Sequence, residues 1–155
     1  MTIRTLAALA VGICVFWAGL SKSRALTERA DVAEKLADAG RTIASDIRAR
    51  RGKAELLSRL PLTDADTLTY ADRSSVAEFI QKSSLPLNKS EASQLTDYIY
   101  LLGGGTQEEQ IILTDGFTEF WERTAAKTRS EKSEKGRLFI SLGSLAGLAV
   151  TIILI

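Results

Sequence analysis

The chain offers few side chains of the kinds that carry out chemistry. It contains no histidine, which removes the commonest general base and the commonest metal ligand together. Its one cysteine, Cys14, lies in an apolar segment without a basic neighbour to activate it. Acidic pairs such as Glu108/Glu109 stand where a helix begins, with no nucleophile or ligand pattern beside them. We therefore predict no catalytic residue, no cofactor and no metal site.

A run of three glycines, Gly103-Gly-Gly105, raises the question of a phosphate site. Such a run binds phosphate when its backbone N–H groups converge before a helix. Here no Lys-Ser/Thr pair follows the run and no strand pattern precedes it, so it is not a nucleotide-binding loop. Thr106-Gln-Glu-Glu109 instead predicts a capping box that starts a new helix. We interpret the run as a tight turn between two helices.

A short basic cluster lies next to Gly52. Its functional interpretation is contact with acidic lipid or with a partner protein, and the alternative is a solvated helix end. The cluster consists of Arg48, Arg50, Arg51 and Lys53.

The charges are confined to the middle of the 155-residue chain. All nineteen acidic residues and all but one of the twenty basic residues lie between Lys22 and Arg137. The net charge is only +1, so the middle gives no basic footprint for nucleic acid. This distribution predicts a polar domain over residues 22–137 with an apolar segment at each end.

The two apolar segments, residues 3–21 and 138–155, are predicted to be transmembrane helices. The first segment contains sixteen uncharged residues, which cover roughly 24 Å as a helix. The aliphatic stems of the flanking Arg4 and Lys22 extend this length toward a bilayer core of about 30 Å. The second has eighteen uncharged residues. A buried core helix is the alternative for each, and a cleaved signal peptide is a further alternative for the first.

Positive charges flank the inner ends of both segments, and lysine and arginine mark the cytoplasmic side of a membrane. The middle domain is therefore predicted to be cytoplasmic, with both termini on the far face. The flanking residues are Lys22, Arg24, Arg29 and Lys35 after the first segment, and Arg123, Lys127, Arg129, Lys132, Lys135 and Arg137 before the second.

Gly143 and Gly147 form a G-x-x-x-G step in the second apolar segment. Two glycines one helical turn apart let another helix approach closely, and close packing drives association within a bilayer. We predict a helix-packing contact there, either with the first segment or with a second protein.

Apolar residues in the middle recur at three- and four-residue steps, which predicts an all-α helical bundle. Pro61 and Pro86 are the only prolines, so few helix breaks are forced. Ser75-Val-Ala-Glu78 and Asn88-Lys-Ser-Glu91 are predicted to be helix starts, and residues 122–137 a solvated stalk. The predicted inward stripes are Val32, Leu36, Ala39, Ile43 and Ile47; Leu56, Leu57 and Leu60; Val76, Phe79 and Ile80; Ala92, Leu95, Ile99 and Leu102; and Ile112, Leu113, Phe117, Phe120 and Trp121.

Three features of the chain occur in a fixed order. The first is the N-terminal apolar segment that leads into the Leu36…Ile47 stripe. The second is Leu87-Asn-Lys-Ser-Glu91, followed by Tyr98-Ile-Tyr-Leu-Leu102-Gly103 and Glu109-Gln110. The third and most specific is the ending, Gly136-Arg-Leu with Ser141-Leu-Gly-Ser-Leu-Ala-Gly147. In this order the features resemble the stage III sporulation protein AB family of endospore-forming bacteria. Residues 48–86 depart most from the family pattern, which leaves the number of helices there open.

The resemblance implies a cytoplasmic helical bundle similar to the inner-membrane platform proteins of secretion systems. It implies a non-enzymatic scaffold in the mother-cell membrane, within the complex that joins mother cell and forespore. The implied partners are other stage III proteins and a cytoplasmic ATPase. Three other interpretations stay open: a two-span regulatory protein with a ligand-binding domain, a secreted helical protein after signal cleavage, and a pore-forming lytic protein.

Overall fold

The computed structural model describes the backbone of residues 3–154, and the side chains of residues 24–134 except 66, with those of Leu138 and Ser141. Within these residues every regular element is helical, which confirms the all-α prediction. The elements are α1 (Ile3–Arg48), α2 (Lys53–Leu57), a 3₁₀ helix (Ala65–Tyr70), α3 (Arg73–Lys82), α4 (Lys89–Leu101) and α5 (Gln107–Leu154).

The chain divides into two compact units. One is Arg29–Ala126, and the other combines Met1–Glu28 with Lys127–Ile155. The predicted spans at residues 3–21 and 138–155 belong to the second unit, and almost all their side chains lie outside the described residues. No helix in the described part of the chain is long and apolar enough to cross a membrane. The two-span architecture therefore stays a prediction, as does the contact at Gly143 and Gly147.

The core of the Arg29–Ala126 unit is built from the stripes that helical periodicity indicated. Leu36 and Ile43 of α1, Leu95 and Ile99 of α4 and Trp121 of α5 are all fully buried. Full burial of a large apolar side chain stabilises a fold by about 1.5–3 kcal/mol relative to exposure. The same cluster holds Ala33, Ala37, Ala39, Ile47, Leu56, Leu57, Leu60, Ala65, Leu68, Val76, Ile80, Tyr98, Leu102, Phe117 and Ala125.

The prediction that Ile112 packs in the core is wrong, because its side chain is 72% exposed. Polar groups set the rotation of α5 instead. Gln110 and Thr114 are buried on its inner side, and the Thr114 hydroxyl lies 3.2 Å from that of Tyr98. Ile112 stands two residues from each, about 200° around the helix, and so faces outward. Phe117 and Trp121 follow the same inner face and are buried as predicted.

The region between residues 48 and 86 contains α2, the 3₁₀ helix and α3. The predicted short helix before Pro61 is confirmed, since α2 ends at Leu57. The predicted α3 start is wrong, because the helix begins two residues before Ser75 and its N-cap is Asp72. The Asp72 carboxylate accepts hydrogen bonds from the hydroxyls of Ser74 and Ser75. Those bonds lower the pKa of Asp72 to about 2.

The capping boxes predicted for the starts of α4 and α5 are confirmed. At the start of α4 the Glu91 N–H donates to the Asn88 side chain (2.8 Å), and the Asn88 N–H donates to the Glu91 carboxylate (2.9 Å). At the start of α5, the Thr106 N–H donates to Glu109 (2.8 Å) and the Glu109 N–H to Thr106 (3.3 Å).

Glu91 also links α4 to α1, although only 4% of the residue is exposed. The Arg29 guanidinium donates to both carboxylate oxygens, at 3.2 and 2.5 Å. With the Asn88 N–H this makes three donors to one buried carboxylate. A buried charge held this way is compensated, whereas the same charge without its partner is strongly destabilising.

Helices α1 and α5 approach each other closely at Gly40. A Cβ added there would overlap the Thr118 hydroxyl and lie 3.2 Å from Cδ1 of Phe117. The Thr118 hydroxyl is held in place because it donates to the Thr114 carbonyl (2.8 Å). Glycine is therefore the residue that this helix crossing requires.

We predict that Gly40→Ala lowers the free energy of unfolding relative to its matched control, Gly116→Ala. Both variants replace a glycine inside a helix by alanine, and this alone stabilises the helix by about 1 kcal/mol. At Gly116 a Cβ meets nothing within 4 Å, so only that gain is expected. At Gly40 overpacking costs about 1–3 kcal/mol. Denaturant unfolding followed by tryptophan fluorescence measures the difference, and equal stability of the two variants would contradict the close approach.

Candidate docking surface

The end of α1, the start of α2 and the turn between α4 and α5 meet at one end of the Arg29–Ala126 unit. We call residues 46–56 and 101–110 the tip. The side-chain amide of Gln107 donates to the Ile47 carbonyl (3.3 Å) and lies 3.5 Å from that of Arg48. The Lys53 ammonium lies 3.4 Å from the Tyr100 carbonyl. A hollow of about 400 Å³ opens between these segments.

Helix α1 ends in a Schellman motif, with Arg50 in the left-handed position that glycine usually occupies. The Arg50 N–H donates to the Ile47 carbonyl (2.9 Å), and the Arg51 N–H donates to the Asp46 carbonyl (3.1 Å). Arg50 has φ 57°, a conformation that is unfavourable for a residue with a Cβ. Such strain at an exposed position is typical of functional sites.

Arg51 belongs to a structural ion-pair network. It contacts the carboxylate of Asp46 at 3.2 Å and pairs with Glu55. Asp46 is nearly buried and also accepts from Arg59 at 2.9 Å. These pairs tie the end of α1 to α2. Arg51 is therefore occupied within the fold.

The Lys53 side chain also makes contacts within the fold, because its aliphatic stem packs on the glycine turn. A Cβ added to Gly103 would lie 2.9 Å from the Cβ of Lys53. The half-buried position lowers the pKa of the Lys53 ammonium through loss of hydration. Gly103 has φ 83°, so this turn needs glycine for its backbone as well as for this contact.

Gln110 holds the glycine turn together. Its side-chain oxygen accepts from the Gly103 N–H (2.7 Å), while its nitrogen donates to the carbonyls of Leu101 (3.2 Å) and Gly104. The Gly103 N–H and the side chain of Glu109 are thus both used inside the turn. The interpretation as a turn, and not a phosphate-binding loop, is supported.

Arg48 and Arg50 remain as the outward-facing part of the basic cluster. Both side chains are exposed, and neither has an ion pair or hydrogen-bond partner among the described residues. The predicted cluster therefore separates into two structural residues, Arg51 and Lys53, and two that face solvent. Two positive charges beside an open hollow suit a carboxylate-rich surface.

The described residues contain no group of three histidine, cysteine, aspartate or glutamate side chains that could hold a metal ion. Sequence reasoning missed the two glutamines that shape the tip, Gln107 and Gln110. A glutamine that bonds to backbone carbonyls has no spacing pattern that would distinguish it from a solvated one. The left-handed conformation of Arg50 could not be predicted from the sequence either, because such a position is usually recognised by a glycine.

The described residues define an all-helical protein whose tip exposes two unpaired cations, Arg48 and Arg50, near a hollow. Residues 54–155, more than half of the chain, match the family model of stage III sporulation protein AB. The chain belongs to that family, which is not known as an enzyme family, and so is a protein of sporulation stage III. No curated protein and no solved structure matches the chain. The matched range includes Gly143 and Gly147 and begins just after the basic cluster.

We predict that Gln110→Ala destabilises the tip by about 1 kcal/mol, because the Gly103 N–H and the Gly104 carbonyl lose their partner inside the turn. Gln107→Ala is the matched control, since it removes only the longer bonds to the end of α1. Hydrogen exchange at residues 101–105 measures local opening, and denaturant unfolding measures the total. If the Gly103 N–H stays equally protected from hydrogen exchange in Gln110→Ala, the role of Gln110 in holding the glycine turn is contradicted.

Proposed function

We propose that this chain is a non-enzymatic membrane scaffold of the complex that joins mother cell and forespore, and that its tip docks a cytoplasmic partner. The observation that carries the docking role is Arg50, an exposed, unpaired cation held in a strained conformation. The sporulation role rests on the family. The partner class that this proposal names is a cytoplasmic ATPase with an acidic docking face.

Two apolar segments anchor the scaffold in this proposal. Residues 3–21 and 138–155 cross the mother-cell membrane, and the helical domain between them lies on the cytoplasmic side. The lysines and arginines next to both segments support that orientation. Such an arrangement keeps the helical domain, and the tip with it, in the compartment of a soluble motor.

Deletion of the gene tests the sporulation role. We expect sporulation to stop after engulfment while vegetative growth is unchanged, and the full-length chain supplied in trans should restore it. Normal spore yield from the deletion strain would refute the proposal. Co-purification of a cytoplasmic ATPase with the tagged full-length chain from sporulating cells tests the partner class.

Arg50→Gly separates docking from stability. We expect it to raise the free energy of unfolding by roughly 1 kcal/mol, because glycine relieves the left-handed strain. We also expect it to weaken partner binding, because a charge is lost.

Arg48→Glu combined with Arg50→Glu should abolish co-purification and spore formation without unfolding the domain. Lys35→Glu, a charge reversal at an exposed position of α1 outside the tip, is the matched control.

Failure of the double Arg48/Arg50 variant to reduce binding beyond Lys35→Glu would show that the tip is not the docking surface. Loss of binding in all three variants would indicate a general charge effect. The sporulation role would stand in either case, since it is tested by the deletion.

Gly147→Ile tests the predicted packing step in the second apolar segment. A branched side chain there blocks close helix approach, so we expect weaker association of the membrane segments and reduced complementation. Leu145→Ile, on the opposite side of the same helix, is the control. Full complementation by Gly147→Ile would mean that the G-x-x-x-G step has no packing role.

A further inference from the structure

A second surface, separate from the tip, lies on the hairpin that α3 and α4 form. A groove of about 830 Å³ runs along this hairpin, and no residue of the tip lines it. Its lining includes the apolar side chains of Ile80, Leu85 and Leu87 and the small side chains of Ala77 and Ser93. Small residues in a groove let another helix approach at close range.

The two ends of this groove carry opposite charges. Helices α3 and α4 are antiparallel, and an ion pair between Arg73 and Asp97 (2.7 Å) fixes the start of α3 beside the second half of α4. Asp72 therefore lies at one end of the groove. Lys89, the first residue of α4, lies at the other.

Neither of these charges is neutralised within the groove. Lys89 is exposed and has no ion-pair partner among the described residues. It also stands at a helix N-terminus, where a positive charge is unfavourable. Asp72 accepts hydrogen bonds from serine hydroxyls and backbone N–H groups, and these neutral donors leave its negative charge in place. A partner that brings a carboxylate to Lys89 and a cation to Asp72 would satisfy both ends at once.

We propose that the partner is a second copy of this chain, packed groove to groove about a two-fold axis. A two-fold interface places the same patch on both sides, so that the residue pairs occur twice. An antiparallel arrangement brings Lys89 of each copy to Asp72 of the other. The axis then passes near Ser93, and the small residues at the centre allow the two hairpins to interdigitate.

This inference goes beyond the docking role, because it uses none of the tip residues. A scaffold that dimerises through α3 and α4 would present two tips to its partner. Each tip can then engage its own partner molecule, and linkage of two binding events raises the overall affinity.

Cysteine cross-linking of the full-length chain in membranes tests the dimer. In a Cys14→Ser background, Ser93→Cys should form a disulfide-linked dimer under mild oxidation. Ser58→Cys, an exposed serine that does not line the groove, is the matched control and should stay monomeric. Equal cross-linking of the two variants would overturn the proposal.

Charge reversal gives a second, independent readout. Lys89→Glu in the Ser93→Cys chain should reduce the dimer yield roughly five-fold, because two attractive pairs become repulsive. Lys82→Glu, whose native lysine pairs with Glu78 at 2.6 Å and does not line the groove, should leave the yield unchanged. High salt should weaken the Lys89-dependent part of the yield.

Accessibility of the Ser93→Cys thiol to a maleimide distinguishes the other occupants. A monomeric protein with a fully reactive thiol would show that the groove is empty, and this overturns the proposal. A monomer with a protected thiol would show that another molecule fills the groove, and this overturns it as well. Loss of docking at the tip with an intact dimer would leave this inference standing.

Discussion

The buried carboxylate of Glu91 is the constraint on which the rest of this bundle depends. A charge that is taken out of water must be compensated, and breaking such a pair typically costs about 3–5 kcal/mol. Arg29 and the Asn88 N–H supply that compensation from two different parts of the chain. One side chain therefore caps α4, fixes its starting point and attaches it to α1. The hydrophobic stripes make the helices associate, and this polar contact selects one register among several that would bury similar area.

The register of α4 carries through to the tip. With α4 fixed at Glu91, Tyr98 stacks on Phe117 of α5 with ring centroids 3.7 Å apart, and its hydroxyl meets Thr114. Burial raises the pKa of Tyr98 to about 12, so the phenol stays protonated at physiological pH. One turn before Thr114 in α5, the Gln110 side chain contacts the glycine turn. The tip is thus positioned by a continuous series of polar contacts, and apolar packing around them excludes water.

Much of this fold was predictable from the sequence, because helical periodicity and helix capping are local. The inward stripes of α1 and α4 and the boxes at Asn88/Glu91 and Thr106/Glu109 each depend on residues three or four apart. Contacts between distant residues were not predictable. Arg29 and Glu91 are 62 positions apart, and no spacing rule connects them. Ile112 was misplaced for the same reason: the rotation of α5 follows from buried Gln110 and Thr114, whose polarity made them look solvent-facing. Of the basic cluster, only its location could be predicted, because the division between Arg48/Arg50 and Arg51/Lys53 depends on long-range partners.

A scaffold of the kind proposed here needs a rigid interior and surfaces that the interior leaves free. The polar contacts around Glu91 and Gln110 supply the rigidity, and they use up the charged groups nearest to them. Arg48 and Arg50 at the tip and Lys89 on the α3–α4 hairpin are among the exposed charges that have no ion-pair partner in the described residues. The strain at Arg50 strengthens this argument, since glycine at that position would make a more stable protein. Stability alone therefore does not explain arginine at this position, whereas the proposed recognition of an acidic partner would.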